Sequence, residues 1–257
     1  HKRRGRRPVI EVIENGNVCD IVMDTPPVNA INDDFLTEFH RALDHIETAA
    51  PTVVLIRSTQ KVFCAGADLK GIQQHFQSDS GIEDMITYVR AMHRLFDRLE
   101  KFPAVTMVAI NGAALGGGLE LALSCDLRVA AHEARMGLPE AQVGMIPGAG
   151  GTQRLTRLCG PGVASRIILG CETVDGAEAE RIGLAEKSCP LADLETVSRD
   201  WAAKIGNLAR PALLASKECI AAYSDHETDG YALELEKPKI TMRSQEAQDR
   251  IAAFFSK

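Results

Sequence analysis

Two short runs rich in apolar residues, VIEVIE at residues 9–14 and NVCDIVM at 17–23, flank Asn15-Gly16 and predict a β-hairpin with a tight turn. Beyond a Pro-Pro loop the period changes. Phe35, Leu36, Phe39, Ala42, Leu43 and Ile46 recur at helical spacing, with Asn32 placed to cap the helix and Asp33 and Asp34 in its first turn. TVVLIR at 52–57 is a continuous apolar run and predicts a buried strand. Ile82, Met85, Ile86, Val89, Phe96 and Leu99 predict a second amphipathic helix. AVTMVAI at 104–110 predicts another strand, which runs directly into NGAALGGGLELALSCD. Strand and helix alternate to about residue 130, the pattern of an α/β fold. From about residue 160 the chain reads as helix: GVASRIILG, DGAEAERIG, a segment around Trp201, and PALLASKECIAAY with Pro211 at a helix start. No low-complexity linker separates the two regions, so they are expected to pack together.

Composition narrows the class. The 257 residues are 45% hydrophobic and 25% charged, ordinary for a globular protein with a sizeable core. No apolar run approaches the roughly 20 residues of a membrane span. Seven cysteines are scattered, with no C-x-x-C and no Cys/His cluster of zinc-ligand spacing, which fits a reducing compartment and no metal. The net charge of −6 is uneven: HKRRGRRP carries five Lys/Arg, leaving 24 basic against 35 acidic side chains, a balance of −11. Residues 1–8 are read as a disordered basic arm, with nucleic-acid binding as the alternative use of such a segment. Position 1 is His rather than Met, so it is not expected to be the natural start.

The glycine-rich segments invite a nucleotide-binding reading that the spacing rejects. G-x-G-x-x-G fails at Leu121 after Gly116 and Gly118, and at Gln153 after Gly148 and Gly150. Neither G-x-x-x-x-G-K-[ST] nor G-x-S-x-G occurs. What remains is the main chain itself. Glycines admit another group close to the backbone, and the first turn of a helix offers free N–H donors at the positive end of its dipole. One such donor aimed at a developing oxyanion contributes about 100- to 1,000-fold in rate. Tight helix–strand packing is the competing use of the same glycines. AGADLK at 65–70 follows a strand in the same way. It leaves the Ala67 N–H pointing outward, with Asp68 as a candidate helix cap. Two carboxyl groups complete the set: Glu120 on the glycine helix and Glu140 in the loop GLPEAQVGMIPGAGGTQRL. Two carboxyls in different environments can divide acid and base roles.

AGADL, NGAALGGGLELALSCDLRVA and GLPEAQVGMIPGAGGTQRL, in this order and spacing, resemble the enoyl-CoA hydratase/isomerase (crotonase) superfamily from about residue 9 to 185. The resemblance implies an α/β spiral of repeated ββα units over residues 9–190. It also implies a helical region at 191–257 that assembles trimers or dimers of trimers. The ligand it implies is an acyl-CoA thioester, with coenzyme A as part of the substrate and no separate cofactor. By motif, the oxyanion donors fall on the N–H groups of Ala67 and Gly117, and the acid/base pair on Glu120 and Glu140. Ala65, Asp68, Leu69, Lys70 and Gly116 fall at the substrate and CoA site, with Lys70 near its phosphates. The presence of both glutamates points to addition of water to a 2-trans-enoyl-CoA, giving a 3-hydroxyacyl-CoA. A Δ3,Δ2-enoyl-CoA isomerase is the rival.

SxxxxFCAGADLK is closest to the methylglutaconyl-CoA hydratase branch, which includes an RNA-binding member. That member's lysine-rich helix corresponds to 32–50, where this chain has no lysine but Asp33, Asp34, Glu38, Asp44 and Glu47. Nucleic acid and membrane are therefore not expected partners. The family reading places the protein in the cytoplasm if bacterial, or in the mitochondrial matrix if eukaryotic. Pro238 is expected to kink or end a tail helix, and 71–84 forms a variable loop beside the acyl pocket.

Overall fold

The computed structural model describes residues 9–75 and 79–256; the basic arm lies outside the described residues. Strands β1 (Ile10–Asn15) and β2 (Val18–Met23) form the expected hairpin. Its two-residue loop is Gly16-Asn17, one position later than the sequence suggested. Asn15 still pairs with Val18, and Gly16 takes the positive φ of the first loop position, +61°. β3 (Val53–Ser58), β4 (Val105–Ile110), β6 (Leu127–Ala131) and β8 (Lys187–Cys189) extend the sheet in the order β1-β2-β3-β4-β6-β8, every pair after the hairpin being parallel. β4 is buried along its whole length, which is why it reads as an unbroken apolar run rather than an alternation.

A second, short sheet runs beside the first. β5 (Ala113–Leu115) pairs in parallel with β7 (Arg135–Gly137), and single-residue bridges join Cys64 to Ala114, Ile31 to Ala67 and Met136 to Val174. Each turn of chain thus gives one strand to the large sheet and a short strand or bridge to the small one. It then gives a helix: α1 (Asp33–Ala49), α2 (Leu69–His75) with α3 (Gly81–Glu100), α4 (Gly117–Leu123) and α5 (Gly151–Ile168) in succession. This is the spiral of ββα repeats that the resemblance implied.

The helices follow their sequence signals with two exceptions. Asn32 caps α1 by accepting from the Phe35 N–H at 2.9 Å, and all six apolar residues named for its inner face are buried. In α3 the inner face begins later than expected. Met92, Leu95, Phe96 and Leu99 are buried, whereas Ile82 is 72% exposed and Ile86 47%. The first two turns reach past the edge of the core, so Ile82 and Ile86 stay exposed while Met85 and Tyr88 are half-buried. α5 opens at the glycines of GAGGTQRL, and GVASRIILG is its second half, beyond a break at Gly160 (φ +81°) and Pro161.

α6 (Gly176–Arg181), capped by Asp175, leads to β8, and α7 (Leu194–Gly206) lies against the large sheet through Leu194, Ala202 and Ile205. α8 (Arg210–Ala222) is tied down by Lys217, whose Nζ donates to the carbonyls of Phe102 and Ala104 and to Asp126. Pro238 interrupts the tail as expected: α9 (Gly230–Glu236) stops and α10 (Pro238–Thr241) restarts, followed by α11 (Gln245–Phe255). Among the described residues no helix is long and apolar enough to cross a membrane.

Candidate active site

The third turn of the spiral meets the second at glycines, main chain close against main chain. Gly66 has φ +91°, and a Cβ there would lie 2.7 Å from the Leu115 carbonyl and 2.9 Å from the Gly117 nitrogen. A Cβ on Gly118 would lie 2.0 Å from the Cys64 carbonyl, so that glycine serves packing. Gly116 has φ +52° and donates its N–H to the Gly137 carbonyl at 3.0 Å, which fixes the turn into α4. Gly117, the first residue of α4, sits so that a Cβ would be 3.5 Å from the Ala67 nitrogen. Both uses of the glycines are therefore present, divided between neighbours: Gly66 and Gly118 permit close approach, and Gly116 and Gly117 shape the helix start.

Two peptide N–H groups converge there. Ile31 donates to the Gly66 carbonyl and accepts from the Asp68 N–H, straddling Ala67. Among the described residues the N–H groups of Ala67 and Gly117 have no acceptor. Tyr88 of α3 steadies the arrangement by donating its hydroxyl to the Ile31 carbonyl at 2.6 Å. Burial pushes the Tyr88 phenol well above its usual range, so it stays a donor.

Glu120 lies one helical turn further along α4 and is 2% exposed. Its Oε1 accepts from the N–H groups of Ala149, at 2.9 Å, and Gly151, at 2.8 Å. Gly151 is the first residue of α5, so the carboxyl also lies at that helix's positive end. Burial and the neighbouring Glu140 carboxyl raise its pKa to about 7 against the opposing pull of those two N–H groups and of Arg154. Glu140 opens a single 3₁₀ turn, Glu140–Val143, and is half-buried. Its Oε1 lies 2.9 Å from where a Cβ on Gly116 would stand, and its Oε2 is buried with no hydrogen-bond partner among the described residues. Burial also raises the Glu140 carboxyl, partly offset by its own N–H.

The structure thus brings Ala67, Gly116, Gly117, Glu120 and Glu140 together. The other residues of AGADLK border the same turn. Ala65 donates its N–H to the Val28 carbonyl. Asp68 caps α2, accepting from the Lys70 N–H at 3.1 Å, and the side chains of Leu69 and Lys70 are exposed. Tyr88, His93, Ala149, Gly151 and Arg154 were not singled out from the sequence. Ala149, Gly151 and Arg154 stand inside the quoted GAGGTQRL, but the spacing shows nothing of what they touch. Among the described residues no group of three or more His, Cys, Asp or Glu side chains is arranged to hold a metal, and all seven cysteines are free. Cys64, buried under the second turn, is pushed up to about 12 and is inert as a thiolate.

Known proteins place this architecture in a class and then in a family. An enoyl-CoA hydratase from Geobacillus kaustophilus HTA426 superposes with a TM-score of 0.90 at 29% identity, covering 98% of this chain and 95% of that one. The fold is the crotonase-type spiral. A probable enoyl-CoA hydratase of Bacillus subtilis is 35% identical over 244 residues, 93% of each chain. The mitochondrial methylglutaconyl-CoA hydratase of Mus musculus is 39% identical over 158 residues, 61% of this chain and 49% of that one. The sequence profile of the enoyl-CoA hydratase/isomerase family matches residues 13–257, and the chain belongs to that family.

Proposed function

We propose that the protein hydrates a 2-trans-enoyl-CoA thioester to the 3-hydroxyacyl-CoA. The observation that carries this reading is the pairing of two carboxyls of raised proton affinity, Glu120 and Glu140, beside two unengaged N–H donors. The thioester oxygen accepts from the Ala67 and Gly117 N–H groups. The conjugated double bond is thereby polarised and its β carbon made electrophilic. Water sits between the two carboxyls. Glu120 takes a proton from the water as the water oxygen bonds to the β carbon. The π electrons move to the thioester oxygen as an enolate. Glu140 then donates a proton to the α carbon and the enolate collapses. One water is consumed, and one proton passes back from Glu120 to Glu140 to reset the pair.

No cofactor beyond the coenzyme A carried by the substrate enters this sequence. Ala65, Asp68, Leu69, Lys70 and Gly116 border the substrate, with Lys70 toward the CoA phosphates; weaker binding of free CoA by Lys70→Ala checks that placement. A plain or a branched enoyl group is compatible with these residues, the second being the substrate class named for the mouse relative.

A panel of enoyl-CoA thioesters of different length and branching, followed by loss of the conjugated absorbance, tests the reaction. Each carboxyl contributes about 100- to 10,000-fold as an acid or base. Glu120→Gln and Glu140→Gln should therefore fold, bind acyl-CoA and lose most hydration. The double variant should be little worse than the poorer single one, because the pair acts on one water. Absent wild-type hydration, with isomerisation of a 3-enoyl-CoA that survives Glu120→Gln, overturns the proposal.

A further inference from the structure

The loop at 147–151 that supplies both N–H groups to Glu120 is itself gripped from behind. His93 of α3 donates Nε2–H to the Gly148 carbonyl at 2.6 Å; the carbonyl can only accept, so the proton is on Nε2. Arg154 of α5 donates Nη1–H to the Ala149 carbonyl at 3.3 Å. The Arg154 guanidinium is buried, with 8% of the side chain exposed, and its other edge is held by α3. Nε and Nη2 both reach Glu100 Oε2, at 3.1 and 2.7 Å, and Nη2 reaches Asp97 Oδ1 at 2.7 Å. Gly150, at φ +105°, is the opening through which it fits, since a Cβ there would stand 2.3 Å from Nη1. His93, Asp97 and Glu100 are spaced along one stripe of α3. One helix therefore aims the loop, and the loop aims the carboxyl.

We propose that Arg154, assisted by His93, is the positioning residue for Glu120. It holds the Ala149 peptide so that two N–H groups meet one carboxylate oxygen, and it places a full positive charge behind that contact. The catalytic meaning of this rests on the hydratase reading, but the electrostatic statement stands alone. The charged and titratable groups concerned are Glu140 from the 3₁₀ turn, Arg154 from α5, and His93, Asp97 and Glu100 from α3. Burial and Glu140 push the Glu120 proton affinity up; Arg154 and the two N–H groups push it down.

The sign of two substitutions follows. Arg154→Met removes the positive charge, so the Glu120 carboxyl should titrate at higher pH than in the wild type. Glu100→Gln keeps an oxygen for the fork but removes the negative charge that neutralises it, so Glu120 should titrate at lower pH. Arg154→Lys keeps the charge and loses the fork, and should leave the titration near the wild-type value. A residue without charge beside Glu120 gives no such opposed pair, and the loss in kcat separates aiming from charge alone.

The experiment is a carbon-13 NMR titration of the enzyme labelled at the glutamate side-chain carboxyls, without substrate. The Glu120 signal is assigned by its loss in Glu120→Gln. In parallel, kcat and KM are measured for hydration. Arg154→Met should lose on the order of 10- to 100-fold in kcat with KM nearly unchanged, the effect of a misaimed reacting group. Arg154→Lys should recover part of that loss. Should Arg154→Met fail to fold, Glu100→Gln carries the test alone, its partner site being half exposed. Opposed shifts in an enzyme without hydratase activity sink the proposed function and uphold the clamp. Robust hydration with an unmoved Glu120 titration, or shifts in the same direction, overturns the clamp.

Discussion

Glu120 is a carboxyl kept where the fold would prefer a neutral group. Its pKa of about 7 in the folded protein lies above the ordinary 4.5, so the folded state binds its proton more tightly than the unfolded chain does. The stability this group lends is full below about pH 4.5 and is lost as the pH rises toward 7; above 7 the buried anion is a constant cost. That cost is on the order of 3 kcal/mol. Glu120→Gln should therefore raise the melting temperature by several degrees at pH 8 and leave it nearly unchanged at pH 4.5, while removing the activity. Calorimetry at the two pH values checks this; equal melting temperatures at pH 8 would show that the buried carboxylate carries no penalty. The groups that manage this carboxyl are invisible in the linear chain for a simple reason. Arg154 stands 54 positions from Glu100, His93 55 from Gly148 and Tyr88 57 from Ile31. Glu120 itself is legible because a lone charge among apolar neighbours needs an explanation, and Glu140 because it offers a second carboxyl in the loop that follows, a pairing the resemblance then reinforces.

The short helix α4 illustrates how far pattern reaches and where it stops. Three consecutive glycines before an apolar run announce a close backbone approach, but not which glycine does what. The geometry assigns them, and two alanine substitutions separate the roles. A Cβ on Gly118 collides with the Cys64 carbonyl, a backbone atom that cannot give way, so Gly118→Ala should cost more than about 3 kcal/mol or abolish folding. A Cβ on Gly117 meets the end of the flexible Met92 side chain at 2.8 Å and stands 3.5 Å from the Ala67 nitrogen. Gly117→Ala should fold, yet crowd the space where a thioester oxygen accepts its bonds, losing about 100- to 1,000-fold in kcat. Circular dichroism with turnover on both variants is sufficient, and the reverse outcome contradicts the assignment. The cap and the inner face of α1 are legible because one face meets the core along its whole length. In α3 the helix is legible, and so is the burial of Phe96 and Leu99, but not the exposure of Ile82 and Ile86, because periodicity reports that a stripe is apolar and not what covers it.

The molecule as a whole leaves much apolar surface on its tail helices. Ile220, Tyr223, Tyr231, Leu235, Phe254 and Phe255 are all exposed, with Tyr223 at 90%; Tyr223 directly follows α8 and the others lie on α8, α9 and α11. Patches of this extent mark association surfaces, and the occupant proposed here is a second and third copy of the same chain. Light scattering should give a multiple of 27.8 kDa, three or six, and a monomer at micromolar concentration contradicts the proposal. The outer face of α1 carries Asp33, Asp34, Asp44 and Glu47, of which Asp44 and Glu47 pair with Arg98 of α3. The contact of Gly66 with Leu115 and Gly117 has a different consequence, one for descent. Because Gly66, at φ +91°, packs directly against the Leu115 carbonyl and the Gly117 nitrogen, the distance between the Ala67 and Gly117 N–H groups is set by glycines that no other residue can replace without moving main chain. On the reading proposed above, a lineage built on this scaffold keeps its carbonyl-polarising site only while it keeps those glycines. It is free to vary only what the carboxyls do beside it and what the exposed rim admits.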